Sequence, residues 1–325
     1  MKIDLFTHAR EDRPLLAIAL LLIATFLLGF QDSLMKLMSS QTSFWQIQTL
    51  RSLGNIALLV LLACLSGNLL LLHARNWRGV YLRATFLAVC MFCFFSGAPF
   101  LSVAQMAIGL YTYPLFVCAL AGPILGETIG RWRIASILIG SAGALLVLSP
   151  WKESFSAVQI LPVIAGFFFA CNILALRSLC RHESTLALAF AAGLLFLISG
   201  LCGIVGLTVL PLSESVQSQM PYVAIGWPTL TMTVAGFAVL ASFLNLTGNI
   251  CMTRAYQTAD VSLLAPLDFS YLIFAALWGK VLFDNVPPID TLFGMLLIIC
   301  AGIIIAWREQ INNKNRIPQR STVKV

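Results

Sequence analysis

PLFVCALAGPILGE (Pro114–Glu127) and YLIFAALWGKVLFD (Tyr271–Asp284) carry one pattern twice in the same chain. Each is an apolar run with a glycine two-thirds along, Gly122 over Gly279, and an acidic residue at its end, Glu127 over Asp284. Working outward, Ala104 to Leu148 and Val261 to Trp307 both read as an apolar span, an acidic corner, and a second span with a late glycine. A short insertion around Pro287-Pro288 brings Gly143 over Gly302.

A helix needs about 20 apolar residues to cross roughly 30 Å of hydrocarbon. The runs long enough are Leu15–Lys36, Phe44–Leu65, Leu82–Leu101, Met106–Leu125, Trp132–Leu148, Ile160–Leu179, Thr185–Leu210, Pro228–Ala255, Leu263–Phe283 and Ile289–Trp307. The expected fold is therefore an all-α integral membrane protein of ten transmembrane helices. Five spans fall in each copy, and an odd number turns the second copy upside down in the bilayer. Such inverted repeats place a site at the midplane with two equivalent ways out, the arrangement of secondary transporters. The expected organisation is a leader over 1–14, a first five-helix repeat over 15–150, a second, inverted repeat over 151–308, and a basic tail over 309–325.

Composition agrees. The 325 residues are 59% hydrophobic and 10% charged, where a soluble domain carries roughly 25% charged residues. The formal charge of +7 is spread over loop ends, which fits membrane insertion and not a nucleic-acid partner. With the N-terminus in the cytoplasm, only Lys36, Arg51, Lys152 and Lys280 of the 20 basic residues fall in outer segments or outer span ends. Lys and Arg concentrate in cytoplasmic loops, so both termini are expected inside an inner (cytoplasmic) membrane. No cleavable signal is expected, because the apolar run after the charged leader is too long for a signal core.

The sequence holds no H-E-x-x-H, no G-x-S-x-G, no Walker loop and no zinc-spaced cluster. Its three histidines lie in the leader or loops. Neither enzyme chemistry nor ATP coupling has a motif, and no cofactor or metal is expected. The nine cysteines sit almost wholly in apolar runs. Cys90 and Cys93 form a C-x-x-C at mid-span, where packing and not redox chemistry is expected.

An ionisable side chain in hydrocarbon costs on the order of 2.5–3.5 kcal/mol, so each one inside a span is a site candidate. Asp32 and Lys36 lie one turn apart on the first span and can pair along its face. Arg51 lies in the second span, its planar fork suited to a carboxylate or phosphate, with Asp32 as a partner across helices. Asp268 lies in the ninth span beside Pro266, which disturbs a helix, and Tyr111 takes its place in the other copy. Asn172, Asn245, Asn249, Tyr111, Tyr113 and Tyr271 add uncharged polar groups. Each serves equally well as an interhelical hydrogen bond, worth about 0.6 kcal/mol. Glu127 and Asp284 read as helix-end groups. Gly122 to Gly126 and the Ser136, Gly140, Ala144 stripe read as close-packing surfaces.

Ala107-Ile108 through Tyr113-Pro114-Leu115-Phe116, Leu125-Gly126-Glu127, then Gly140 and Gly143 resemble the EamA-like family of the drug/metabolite transporter superfamily. Ser262 through Tyr271, Gly279 and Phe283 do so again, as do Asp32 to Lys36 and Phe44 to Arg51. The resemblance covers roughly residues 15–308. It departs at Asp284, where the family usually has Glu, and in the seventh span, which lacks a counterpart of Arg51. It implies alternating access around a central cavity, and is strongest toward bacterial carriers for S-adenosylmethionine or riboflavin. In that reading Asp32 and Asp268 attract cationic groups or take a proton, Arg51 and Lys36 neutralise a carboxylate, and Tyr111, Tyr113 and Tyr271 stack on a ring. The expected partners are a small-molecule substrate and the lipid bilayer. Coupling to a proton or counter-substrate, and a homodimer, are both compatible with the pattern. The alternatives are a metabolite or drug exporter of the same family and, in another class, a membrane-embedded lipid-handling protein without carrier activity.

Overall fold

The computed structural model describes residues 14–67, 69–125, 131–148, 156–180, 183–258, 264 and 267–316, and every regular element among them is helical. The helices are α1 (Pro14–Met38), α2 (Phe44–Leu65), α3 (Trp77–Ser96), α4 (Val103–Leu110), α5 (Tyr113–Leu125), α6 (Arg131–Leu148), α7 (Leu161–Leu179), α8 (Thr185–Val209), α9 (Glu214–Gln219), α10 (Pro221–Ala224), α11 (Met232–Thr258), α12 (Ser270–Phe283) and α13 (Ile289–Arg316). Short 3₁₀ turns cover Leu69–Leu72 and Ala157–Ile160. The first is separate from α2, so it does not lengthen the second span.

Six segments are long and apolar enough to cross a membrane, within α1, α2, α3, α8, α11 and the stretch Ala157–Leu176. Shorter apolar segments, Val103–Val117, Ile134–Val147, Ser270–Phe283 and Ile289–Ile304, fall where the fourth, fifth, ninth and tenth spans were expected. Large apolar side chains such as Leu61, Val205, Phe243, Ile273 and Phe293 point outward, the surface a bilayer would cover. With no water in hydrocarbon, backbone groups must bond within the chain, which favours helices. The helix starts are capped accordingly. Ser43 accepts from the Gln46 N–H at 3.1 Å, and Ser102 and Gln105 form a reciprocal capping box at α4.

Three expectations need correction. The fourth span is not one helix: it breaks at Tyr111-Thr112 between α4 and α5. Pro114 has no N–H for the Leu110 carbonyl one turn back, and the Thr112 hydroxyl turns to the Gly109 carbonyl at 2.6 Å. The third span starts earlier than expected, at Trp77, and ends at Ser96. The last helix continues past Trp307 through Arg316. Gly126-Glu127, Pro266 and residues 317–325 lie outside the described residues. A matching irregularity precedes α12: Phe269 is a turn residue, and the Leu272 N–H bonds its carbonyl at 3.0 Å. Asp284 closes α12 in a left-handed conformation, φ 52°, paired with Lys280.

Helix packing follows a reciprocal scheme. α1 packs on α11 and α12, while α7 packs on α3, α4 and α5. α2 packs on α11, and α8 packs on α3. α2 with α8, α4 with α12, and α6 with α13 pair directly. The bundle has one end carrying the α1–α2 and α3–α4 turns and the 210–231 loop, called here the far end. The contact of α6 with α13 depends on two glycines. A Cβ on Gly294 would stand 2.4 Å from Val147 and 2.7 Å from the Gly143 carbonyl, while one on Gly236 would meet nothing within 4 Å. Gly294→Ala should therefore cost about 1–3 kcal/mol by thermal unfolding of the purified protein, with Gly236→Ala near neutral. Equal stability of the two variants would contradict this packing.

Candidate functional site

The polar residues of the spans converge where α1, α5, α11 and α12 meet. On α1, Asp32 accepts from Gln31 Nε2 at 3.0 Å and from the Tyr271 hydroxyl of α12. Gln31 in turn accepts from Asn245 of α11 at 2.9 Å, and Asn55 of α2 donates to the Asn245 side chain at 3.4 Å. Asp268, helical and just before the Phe269 turn that precedes α12, accepts from the Tyr113 hydroxyl at 3.4 Å, and its backbone carbonyl accepts from the Tyr111 hydroxyl at 3.2 Å. The rings of Tyr111 and Tyr271 stack at 5.1 Å with planes 10° apart. Thr25 and Ser270 add a further hydroxyl pair between α1 and α12 at 2.9 Å.

Two aspartates are thus held by three tyrosines at this seam, Tyr271 and Tyr113 on their carboxylates and Tyr111 on the Asp268 backbone. Burial supplies the tightness: Tyr111 and Tyr271 are almost fully enclosed. Asp32, Tyr113, Asn245 and Asp268 keep partial exposure, so packing does not seal the polar face. One oxygen of Asp268, Oδ1, is buried without a hydrogen-bond partner. Chemically, the site offers negative charge, phenolic donors and a stacked aromatic pair beside a broken helix.

Not every expected residue joins it. Lys36 forms no ion pair with Asp32; its ammonium donates to the backbone carbonyls of Ala98 and Leu101 at 2.7 and 2.6 Å and lies over the Phe283 ring. Those carbonyls lie in the turn between α3 and α4, where a cation is a natural partner for backbone acceptors outside a helix. Arg51 forms no ion pair with Asp32 either. It donates to Gln48 at 2.9 Å, with the Phe95 and Phe196 rings 5.7 and 6.0 Å from its guanidinium carbon. Asn249 bonds the Asn245 carbonyl of its own helix and is exposed. Asn172 is buried on α7 with its side-chain oxygen unpartnered.

Gln31, Gln48 and Asn55 are members that sequence reading missed. Each is a polar residue beside or one turn from a charge in an apolar run, which is the signal that would have found them. A small cleft lies elsewhere, near Gln105, Ala144, Val147 and Gln159. It lacks charged lining, and the carboxylate–tyrosine seam is the better site on chemical grounds. Cys90 and Cys93 are buried in an apolar cluster with Phe94 and Phe95, as packing residues.

Coupling across the seam is measurable. Tyr271→Phe and Asp32→Asn should each destabilise the purified protein by about 1–3 kcal/mol, and the double variant should fall short of the sum by at least about 0.5 kcal/mol. Reversible unfolding in mixed micelles reads this; strict additivity would mean the two side chains do not interact.

Residues 15–149 match the EamA-like transporter family. A riboflavin transporter of Vibrio cholerae is 29% identical over 64% of this chain and 64% of its own length. A pseudopaline exporter of Pseudomonas aeruginosa is 24% identical over 89% of this chain and 95% of its own. A crystal structure of a protein 16% identical superposes with a TM-score of 0.54, covering 92% of this chain and 98% of that one, which shows a shared fold. The chain is thus similar to EamA-like transporters over residues 15–149, within a multi-span helical architecture.

Proposed function

We propose that this protein is a secondary carrier that moves a small organic metabolite across the cytoplasmic membrane by alternating access. The observation that carries the reading is the seam itself: Asp32 and Asp268 are held by Tyr271, Tyr113 and Tyr111 beside a broken helix. Irregular backbone at membrane depth is tolerated where it lines a cavity, and carriers place their sites there.

The two halves are read as inverted five-helix repeats with both termini in the cytoplasm. Reciprocal packing supports this, because exchanging each helix for its counterpart turns the contacts of α1 with α11 and α12 into those of α7 with α3, α4 and α5. Tyr111 and Asp268 occupy equivalent positions in the two copies, and they touch, as residues near a two-fold axis would. Cysteines placed at Glu127 and Asp284 should then react with an impermeant maleimide from opposite sides of the membrane. Labelling from one side only would overturn the inversion.

The two aspartates of the seam suit a cationic group, the tyrosine pair suits a ring, and Arg51, outside the seam, suits an anionic group of the same solute. S-adenosylmethionine, riboflavin and related amino-acid- or nucleoside-like solutes meet these demands. The same site serves uptake or export, since a binding site with two exits does not set direction. An exporter is the second reading, favoured by the pseudopaline exporter's match over nearly its whole length. Coupling to a proton through Asp32 or Asp268, or exchange with a counter-substrate, would drive uphill movement.

Proteoliposomes test the assignment. Ligands that raise the melting temperature identify substrates, because only the folded form binds them. Asp268→Asn and Arg51→Ala should each lower uptake of such a substrate about tenfold or more, the loss of one charge-assisted contact. Wild-type uptake by both variants would remove these residues from the site.

A further inference from the structure

The loop from α8 to α11 does not lie free over the far end. Three side chains at the start of α2 hold its backbone: Trp45 donates to the Val223 carbonyl, Ser43 to that of Gly226 and Gln46 to that of Pro228, each at 2.8 Å. The loop thereby drives Tyr222 of α10 into the bundle, where it is 2% exposed and its ring lies 6.1 Å from that of Phe44. Its hydroxyl is buried with no hydrogen-bond partner.

Arg51 borders the same buried cluster: its guanidinium carbon stands 5.7 Å from the ring of Phe95, which shares that cluster with Phe44 and Tyr222. It is 3% exposed, its Nε is buried and unpartnered, and Gln48 takes only one of its terminal nitrogens. Among the described residues no carboxylate lies within ion-pairing distance of it. The Arg51 Nε–H can only donate and the Tyr222 hydroxyl has a proton to give as well as lone pairs, so one acceptor would satisfy them together, and a guanidinium selects a negative one.

We propose that Arg51 and Tyr222 form an anion subsite that takes a carboxylate, with Tyr222 delivered by the 210–231 loop. One guanidinium and one neutral hydroxyl match a single negative charge. A phosphate would call for a second cation, and the Lys36 ammonium is already committed to the Ala98 and Leu101 carbonyls. The subsite rests on the carrier reading only for the molecule that bears the carboxylate. It adds a residue from outside the spans to recognition, and it makes seating of the loop and seating of the anion one event.

The probe is L-methionine, the amino-acid head of S-adenosylmethionine, set against L-methioninamide, which lacks only the negative charge. Binding to the full chain in nanodiscs is followed by titration calorimetry and thermal shift. Wild type should prefer methionine by about tenfold or more, the value of one charge-assisted hydrogen bond. Tyr222→Phe should lose most of that preference at an unchanged ligand-free melting temperature. Arg51→Lys, which keeps the charge but not the fork, should lose part of it. Failure of wild type to bind methionine, equal binding of both probes, or full preference in Tyr222→Phe would overturn the subsite, leaving the orphans to water. If Tyr222→Phe keeps its preference while Asp268→Asn abolishes uptake, the subsite fails and the carrier reading stands.

Discussion

A carboxylate in hydrocarbon must find donors inside the protein, because no water is there to supply them. That constraint organises this molecule. Asp32 sits in a first helix dominated by leucine, isoleucine, alanine and phenylalanine. Its donors come from Tyr271 on α12 and Gln31 on α1 itself. The Tyr271 ring lies flat against Tyr111 from α4, whose hydroxyl reaches the backbone beside Asp268. Satisfying one charge therefore ties together helices from both ends of the sequence. The break at Tyr111-Thr112 belongs to the same solution, since a straight helix through Pro114 would leave a carbonyl without a partner.

The intramembrane charges are kept apart by sign and by kind of neighbour. The acids are surrounded by phenols, Lys36 by carbonyls of the turn between α3 and α4, and Arg51 by two phenyl rings and an amide. Among the described residues, Asp32, Asp268, Lys36 and Arg51 form no salt bridge with one another. A buried ion pair would lock the two halves, as breaking one strands a charge. Neutral hydroxyl and aromatic neighbours hold the same groups more loosely, as the proposed alternating access would require.

Much of the architecture was legible because hydrocarbon leaves so few choices. Apolar length alone located α1, α2, α8 and α11 to within a few residues, and the rhyme of Pro114–Glu127 with Tyr271–Asp284 pointed to paired short helices. The tyrosines and both aspartates were singled out because polar groups are conspicuous in such runs, and the structure brings them together. What could not be read was partnership. Asp32 and Lys36 share a helix face at ideal spacing, yet carbonyls 62 and 65 residues away capture the lysine. Tyr222 gave no signal at all, since a tyrosine in a polar connecting loop is unremarkable until the loop is seen folded inward.

The loop that carries Tyr222 is gripped by its main chain. Trp45, Ser43 and Gln46 bond carbonyl oxygens, which every amino acid supplies. Exposed side chains between Pro211 and Met220 are thus free to drift during evolution without loosening the attachment. Gly226 is not: an added Cβ would stand 2.8 Å from the Ile204 carbonyl. Divergence in this protein should accordingly accumulate on the rim of the loop while its inner hem stays fixed, a changing surface above an unchanging latch.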